Sequence, residues 1–285
     1  MTLFRFLLRT KIIAKEISGF QEISIHQHHK LGRVLYIDGV FQTCEFDEYI
    51  YHEMITHMPI ISSINKSYPE QKIRVLIIGG GDGGTLREVL KHKVVEDVVM
   101  VEIDEAVVRL CSEHLGIQGD YSDPRVKLII GDGADYVRQT ALKNNQLFDV
   151  IIVDSTDPSS LNADDDDWSA PANILYQSEF CKNCYNSLTE TGVFLRHVGC
   201  PIYNLSAMQA IASQTEKIFP KVELYRVTIP TYTSGEMVFI LSSKDGQSCQ
   251  INSNIPFTGR HYNPEIHQAA FALPTWWKTE LGFRQ

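Results

Sequence analysis

Residues 73–91 read IRVLIIGGGDGGTLREVLK. The first six residues are almost continuously apolar, which suits a strand buried on both faces of a sheet. Six residues of glycine-rich turn follow, Gly79 to Gly84, with Asp82 as the one interruption. TLREVLKH then carries the helical period. Glycines between a buried strand and a helix permit a tight turn and let a ligand approach the backbone closely.

The same grammar repeats downstream. VVMVEID reads as a second buried strand, RVKLIIGDG and FDVIIVDSTD as a third and a fourth strand, and EAVVRLCSEHL and ADYVRQTALK as the helices between them. GVFLRHV and VELYRVTIP read as further strands, with LSAMQAIASQTEKIF as a helix between. Strands alternating with helices predict an α/β, doubly wound parallel sheet. Upstream the pattern differs. KIIAKEI, EISIHQH, RVLYI and VFQTCEF are short β-rich runs, and Asp38-Gly39 between the last two is a hairpin signal. A small antiparallel β unit is expected there, followed by a helix over residues 47–64. The expected division is residues 1–64 and residues 65–285.

Acidic residues stand where the strands end. Glu102 lies about twenty residues beyond the glycine turn, where a carboxylate accepts hydrogen bonds from ribose hydroxyls. Asp82 lies inside the turn and would repel a pyrophosphate. An adenosine carrying a sulfonium and an amine fits better than a dinucleotide. Asp132, before Gly133, is placed to accept from an adenine amine, although an Asp before Gly is also a common turn residue. Asp154 and Asp157 end the fourth strand, three residues apart, and are candidates for binding a cation and taking its proton. Helix capping is the alternative role for such a pair.

The 285 residues carry a net charge of −9, which disfavours nucleic acid and suits a small cationic ligand. No apolar run is long enough to span a membrane, and the N-terminus lacks the pattern of a signal peptide, so a cytoplasmic protein is expected. The six cysteines are scattered, and Cys181 and Cys184 are expected to be core residues of a helix. His52 and His57 are five residues apart and share a helical face poorly, so no metal site is expected. His26 and His28 are expected at the surface. SSLNADDDDWSA, residues 159–170, has no periodic pattern and follows a strand's carboxyl end, as a plain loop or a lid would.

Taken in order, IGGGDGGTLREVLKH, VEIDEAVV, DPRVKLIIGDGADYV and FDVIIVDSTDP closely resemble the spermidine synthase family of aminopropyltransferases. The resemblance extends to GRVLYIDGVFQTCEFDEYIYHEMI upstream, and to TIPTYTSGEMVF and HYNPEIHQAAFALP downstream. Generic methyltransferases share the glycine turn and Glu102, but neither the N-terminal β unit nor the DSTDP strand end. The resemblance implies a Rossmann-like domain of the nucleoside-dependent methyltransferase type, preceded by a small β domain. It implies aminopropyl transfer from decarboxylated S-adenosylmethionine, a co-substrate rather than a tightly bound cofactor, to a diamine such as putrescine. It also suggests a homodimer or homotetramer.

By the same resemblance Asp154 is the proton acceptor. Gln21, Asp82, Glu102, Asp132, Gly133 and Pro171 match donor-binding positions. His52, Asp82, Asp154, Asp157, Gln42, Tyr51 and Tyr232 match the polyamine side. Two departures bear on the acceptor. Twelve residues separate Pro158 from Pro171, where the family continues almost directly, and His197 stands where the family often has glutamine. Cadaverine, agmatine or spermidine are therefore alternative acceptors. A methyltransferase and a non-catalytic polyamine- or nucleoside-binding protein are the readings from other classes.

Overall fold

The computed structural model describes residues 10–66, 72–143, 147–156, 171–251 and 257–281. Four strands, β1 (Thr10–Ile17), β2 (Glu22–His28), β3 (Gly32–Ile37) and β4 (Val40–Cys44), form an antiparallel sheet in sequential order. Asp38 and Gly39 both have positive φ, 50° and 75°, as expected of the two-residue turn between β3 and β4.

Helix α1 (Glu48–Lys66) leads into the larger sheet. That sheet comprises β5 (Ile73–Gly79), β6 (Val95–Glu102), β7 (Val126–Ile130), β8 (Phe148–Asp154), β9 (Leu188–Gly199), β10 (Lys221–Thr228) and β11 (Glu236–Ser243). Its order is β10-β11-β9-β8-β5-β6-β7. β5 to β9 pair in parallel, and β11 runs antiparallel to both β9 and β10. The order turns back on itself at β5, where neighbouring connections leave in opposite directions and open a crevice at the strands' carboxyl ends.

The connecting helices are α2 (Gly84–Leu90), α3 (Glu105–His114), α4 (Gly133–Lys143), α5 (Pro171–Ile174), α6 (Ser178–Asn186) and α7 (Pro201–Glu216). Helices α8 (Pro264–Ala270) and α9 (Thr275–Glu280) close the described chain. β5, β6 and β8 bury both faces because two cores flank the sheet. One gathers Tyr51, Met54, Ile55 and Met58 of α1 with Val75, Ile77, Val150 and Ile152. The other gathers Val137 of α4, Phe180, Cys181 and Cys184 of α6 and Ile211 of α7 against Leu76, Ile78, Ile151 and Val153. A third cluster seats Ile23, Ile25 and Leu35 of the small sheet on Val107, Leu110 and Cys111 of α3.

β11 was not anticipated from the sequence as a strand. It returns β10 to the sheet through the turn over 229–235, and its apolar run fills the place beside β9. Cys181 and Cys184 are fully buried, as expected. The surface reading of His28 is corrected. It is 1% exposed, and its Nδ1 accepts the backbone N–H groups of Lys30 and Leu31, which fastens the turn after β2. The described residues contain no helix long and apolar enough to cross a membrane.

Candidate active site

The carboxyl ends of β5, β6 and β8 converge on the glycine turn, and β7 ends beside β6. Gly80 N–H donates to Asp154 C=O at 2.7 Å, so the turn and the end of β8 are fixed to each other. Close approach explains two glycines. A Cβ on Gly84 would lie 2.4 Å from His52 Cε1, and one on Gly81 would lie 2.9 Å from Glu102 Oε2. Each glycine thus leaves room for a functional side chain from another element.

Asp154 and Asp82 face each other with His52 beside them. One nitrogen of His52 and one oxygen from each carboxylate all lie within 4.8 Å of one another. Tyr51 Oη donates to Asp154 Oδ1 at 2.8 Å, and Thr85 Oγ1 donates to Asp154 Oδ2 at 2.6 Å. Gly84 N–H donates to Asp82 Oδ1 at 2.8 Å, while Asp82 Oδ2 is 3.2 Å from His52 Nε2. His52 Nδ1 is 2.6 Å from Glu48 Oε2, one helical turn earlier on α1.

These contacts separate the two carboxylates. Burial and the charge of Asp82 push the Asp154 carboxyl above its ordinary value, against the opposing influence of His52 and the two hydroxyls. Burial acts the same way on Asp82, but the charge and hydrogen bond of His52 outweigh it and hold that carboxyl low. Burial alone would lower His52. Asp82 and Glu48, each by charge and hydrogen bond, reverse this and raise it well above its ordinary value. The result is one stable ion pair beside one carboxylate with a higher proton affinity. The two neighbouring carboxylates thus differ in proton affinity, Asp154 being the more basic. Tyr51, buried against Asp154, is raised and remains a donor.

The adjoining part of the crevice is built on Glu102. Its Oε2 accepts Gly81 N–H at 3.1 Å and its Oε1 accepts Asp104 N–H at 3.0 Å. Burial still pushes its carboxyl up to about 7. Gln21 reaches this region through Asp104, whose Oδ2 accepts both Gln21 Nε2 at 3.0 Å and Ser18 Oγ at 2.6 Å. Asp104 also caps α3 by accepting Ala106 N–H. Asp132 is exposed at the start of α4, where Oδ1 accepts Ala134 N–H at 2.7 Å and Asp135 N–H at 3.2 Å. It thus makes the turn contact its sequence context suggests. Gly133 beside it is buried.

Tyr232 joins the aromatic wall, its ring centroid 6.1 Å from Tyr51 and 6.3 Å from Phe41. Asp47 holds the Tyr232 turn by accepting Thr231 N–H at 2.9 Å and Thr231 Oγ1 at 2.8 Å. Gln42 lies one residue from Phe41, and its Nε2 donates to Val40 C=O within its own strand. Pro171 opens α5. Asp157 and the acidic stretch 159–170 lie outside the described residues. His197 lies behind the end of β8, where Nε2 is 2.6 Å from Ser155 C=O and 3.3 Å from Tyr176 Oη. The buried Arg196 points to the opposite core, with Nη2 on Thr215 Oγ1 at 2.6 Å.

The sequence did not single out Glu48, Thr85, Arg87, Asp104 or Asp47. Glu48 had a readable signal, since it precedes His52 by four residues on a helix. The partners of the others are remote in sequence. His52 and His57 indeed serve different places. His57 is buried with Nδ1 2.9 Å from His92 Nε2, and with Nε2 3.2 Å from Glu88 Oε2. The three groups Glu53, His57 and Glu88 offer ligand atoms within 4.8 Å of one another. Their charge is already met from within: Lys91 and Arg87 pair with Glu88, and Glu53 accepts the N–H groups of Arg260, His261 and Tyr262.

Comparison with known proteins adds the decisive observation. Residues 48–253 match the spermine/spermidine synthase domain. The chain belongs to the spermine/spermidine synthase family. The polyamine aminopropyltransferase of Clostridium kluyveri (strain NBRC 12016) is 39% identical over 272 residues, which covers 94% of this chain and 91% of the relative. The polyamine aminopropyltransferase of Thermoanaerobacter pseudethanolicus is 41% identical over 274 residues, covering 95% and 92%. A crystal structure of spermidine synthase with the transition-state analogue AdoDATO superposes with a TM-score of 0.81 at 36% identity, covering 95% of this chain and 88% of that one. Spermidine synthase from Thermotoga maritima gives 0.80 at 36% identity, with the same coverage. This member of the family is accordingly a transferase with the Rossmann-like fold expected of it.

Proposed function

We propose that this transferase moves the aminopropyl group of decarboxylated S-adenosylmethionine to putrescine, giving spermidine and methylthioadenosine. The observation that carries the reading is Asp154, held by the Tyr51 and Thr85 hydroxyls and facing Asp82 across less than 4.8 Å. The donor's nucleoside occupies the crevice at Glu102, Asp132 and Gly133, with Gln21 supporting it through Asp104 and Pro171 at its border. Its sulfonium and amine lie toward Asp82. The diamine enters past Tyr51, Tyr232 and Gln42, with His52 and Asp157 completing its site.

A free alkyl ammonium resembles lysine, with a pKa of about 10.4, so freeing its lone pair at pH 7 costs about 4–5 kcal/mol. Asp154 binds the ammonium and accepts its proton as the nitrogen attacks the propyl carbon. The C–N bond forms, the C–S bond breaks, and its electron pair goes to sulfur, so methylthioadenosine leaves neutral. Burial serves this step because it raises the proton affinity of Asp154. Holding both reactants in one crevice contributes the remaining advantage. We further propose that residues 1–64 and 65–285 form the two units of the chain, that it assembles as a homodimer or homotetramer, and that it works in the cytoplasm.

The acceptor is tested by incubating the protein with decarboxylated S-adenosylmethionine and, separately, putrescine, cadaverine, agmatine or spermidine. Products are read by mass. Putrescine turned over fastest supports the proposal. Preference for a longer or guanidinylated amine assigns another acceptor, and nucleoside binding without any product overturns the transferase chemistry proposed.

A further inference from the structure

Two carboxylates this close compete for the same proton, and something must decide which receives it. The geometry around His52 supplies an answer, and it rests on the proposed role of Asp154. His52 is 1% exposed and wedged against Gly84, so its ring has one seat. Its Nδ1 meets Glu48 Oε2 at 2.6 Å and its Nε2 meets Asp82 Oδ2 at 3.2 Å. Glu48 is anchored in turn, because Arg87 Nη2 donates to the same Oε2 at 2.8 Å. Arg87 is itself fixed by Ile117 C=O at 2.8 Å and Glu88 Oε1 at 2.9 Å. A chain of charges of alternating sign therefore runs Glu88, Arg87, Glu48, His52, Asp82, and it ends one step before Asp154.

We propose that Glu48, held by Arg87, is a positioning residue that keeps His52 as the counter-cation of Asp82, so that the proton leaving the amine goes to Asp154. An imidazole with carboxylates on both nitrogens has a proton on each, because each contact needs a donor. Removing the Glu48 charge leaves Nδ1 without its acceptor and weakens the hold on the second proton. Asp82 would then lose its counter-charge and compete with Asp154 for the proton of the amine. The groups facing His52 are Glu48 on α1, Asp82 in the glycine turn, and Asp154 with the Tyr51 ring beside it. Arg87 on α2 acts at one remove through Glu48. Glu48 touches no reacting atom, so its effect passes through His52.

The test uses the full chain with histidines labelled at Cε1 and followed by NMR from pH 5 to 9, with His52→Gln assigning the resonance. In the wild type, His52 should remain protonated well above pH 6.5. In Glu48→Gln its midpoint should fall by about 1–2 pH units, the size expected when a neighbouring charge is lost. As that midpoint falls, the acid limb of kcat should move upward, because Asp154 loses the cation that favours its charged form, while donor affinity changes less than about threefold. A His52 midpoint near 6.5 in the wild type overturns the proposal without any variant. An unchanged midpoint in Glu48→Gln does the same, as does a lowered midpoint with an unshifted kcat profile. Glu48→Asp, which keeps the charge, should restore most of the His52 midpoint, and equal loss in both variants would reduce Glu48 to a structural role. If the wild type forms no product with any amine, the proposed function fails, yet the titration still decides the His52 geometry.

Discussion

Glu102 is a carboxylate whose protonation should be visible in stability. It is 7% exposed, and burial moves it from 4.5 to about 7 despite the N–H donors of Gly81 and Asp104. Between those two values the folded protein holds a proton that the unfolded chain has released. Stability therefore falls as pH rises from about 4.5 to about 7, and is flat above that as far as this group is concerned. The displacement corresponds to roughly 3 kcal/mol at ~1.36 kcal/mol per tenfold, of which roughly 2–3 kcal/mol falls between pH 5 and pH 8.5. Glu102→Gln removes the titration. The glutamine has one acceptor oxygen for two N–H groups, which costs about 1–3 kcal/mol, but this cost is the same at both pH values. The assay is urea unfolding of the ligand-free wild type and variant at pH 5 and pH 8.5. The variant should lose less stability over that interval, by roughly 2–3 kcal/mol. Parallel losses in the two proteins would refute the buried-carboxylate reasoning. If Glu102 also accepts the donor's ribose hydroxyls, donor binding to the wild type should weaken about tenfold from pH 8 to pH 6, because the ionised fraction falls by that factor. Calorimetry over this range should show the variant weaker throughout and nearly independent of pH.

Other substitutions read the remaining parts of the site. If Asp82 faces the donor's aminopropyl end as proposed, Asp82→Asn should relax discrimination against the carboxylate of ordinary S-adenosylmethionine; competition assays that show undiminished rejection would contradict this. Thr85→Val removes the hydroxyl from Asp154 Oδ2, and kcat should fall about tenfold, with its acid limb displaced upward, because a hydrogen bond to the charged form is lost. Gly84→Ala puts a methyl 2.4 Å from the His52 ring, so it should destabilise the fold by about 1–3 kcal/mol in thermal unfolding and reduce activity as the ring shifts.

Much of the architecture was legible because the strands β5, β6 and β8 are short apolar runs that can be buried only in a covered sheet, and the edge strand β7 continues the same alternation of strand and helix. Their ends were legible for the same reason, which is how Asp82, Glu102, Asp132 and Asp154 emerged together. β11 escaped as a strand because its first apolar residues, Met237 to Phe239, were read as the end of a motif that begins in a turn, which hid their continuation into Ile240 and Leu241. His28 was misjudged because alternation gives a face but does not say that a following turn folds its N–H groups onto the ring. Thr85 and Arg87 were invisible as site residues. Their partners, Asp154 and Glu48, are brought in by β8 and α1 respectively, and no local pattern encodes how those elements meet. The spacing of Glu48 and His52 could be read, but only the structure shows that the open nitrogen of that pair points at Asp82.

The most direct measurement is methylthioadenosine release from decarboxylated S-adenosylmethionine and putrescine by the wild type and Asp154→Asn side by side. Because a positioned base contributes about 10²–10⁴-fold, kcat should fall by that range while donor affinity stays within about threefold. Release by Asp154→Asn at a rate close to the wild type would contradict the assignment of Asp154 as the proton acceptor.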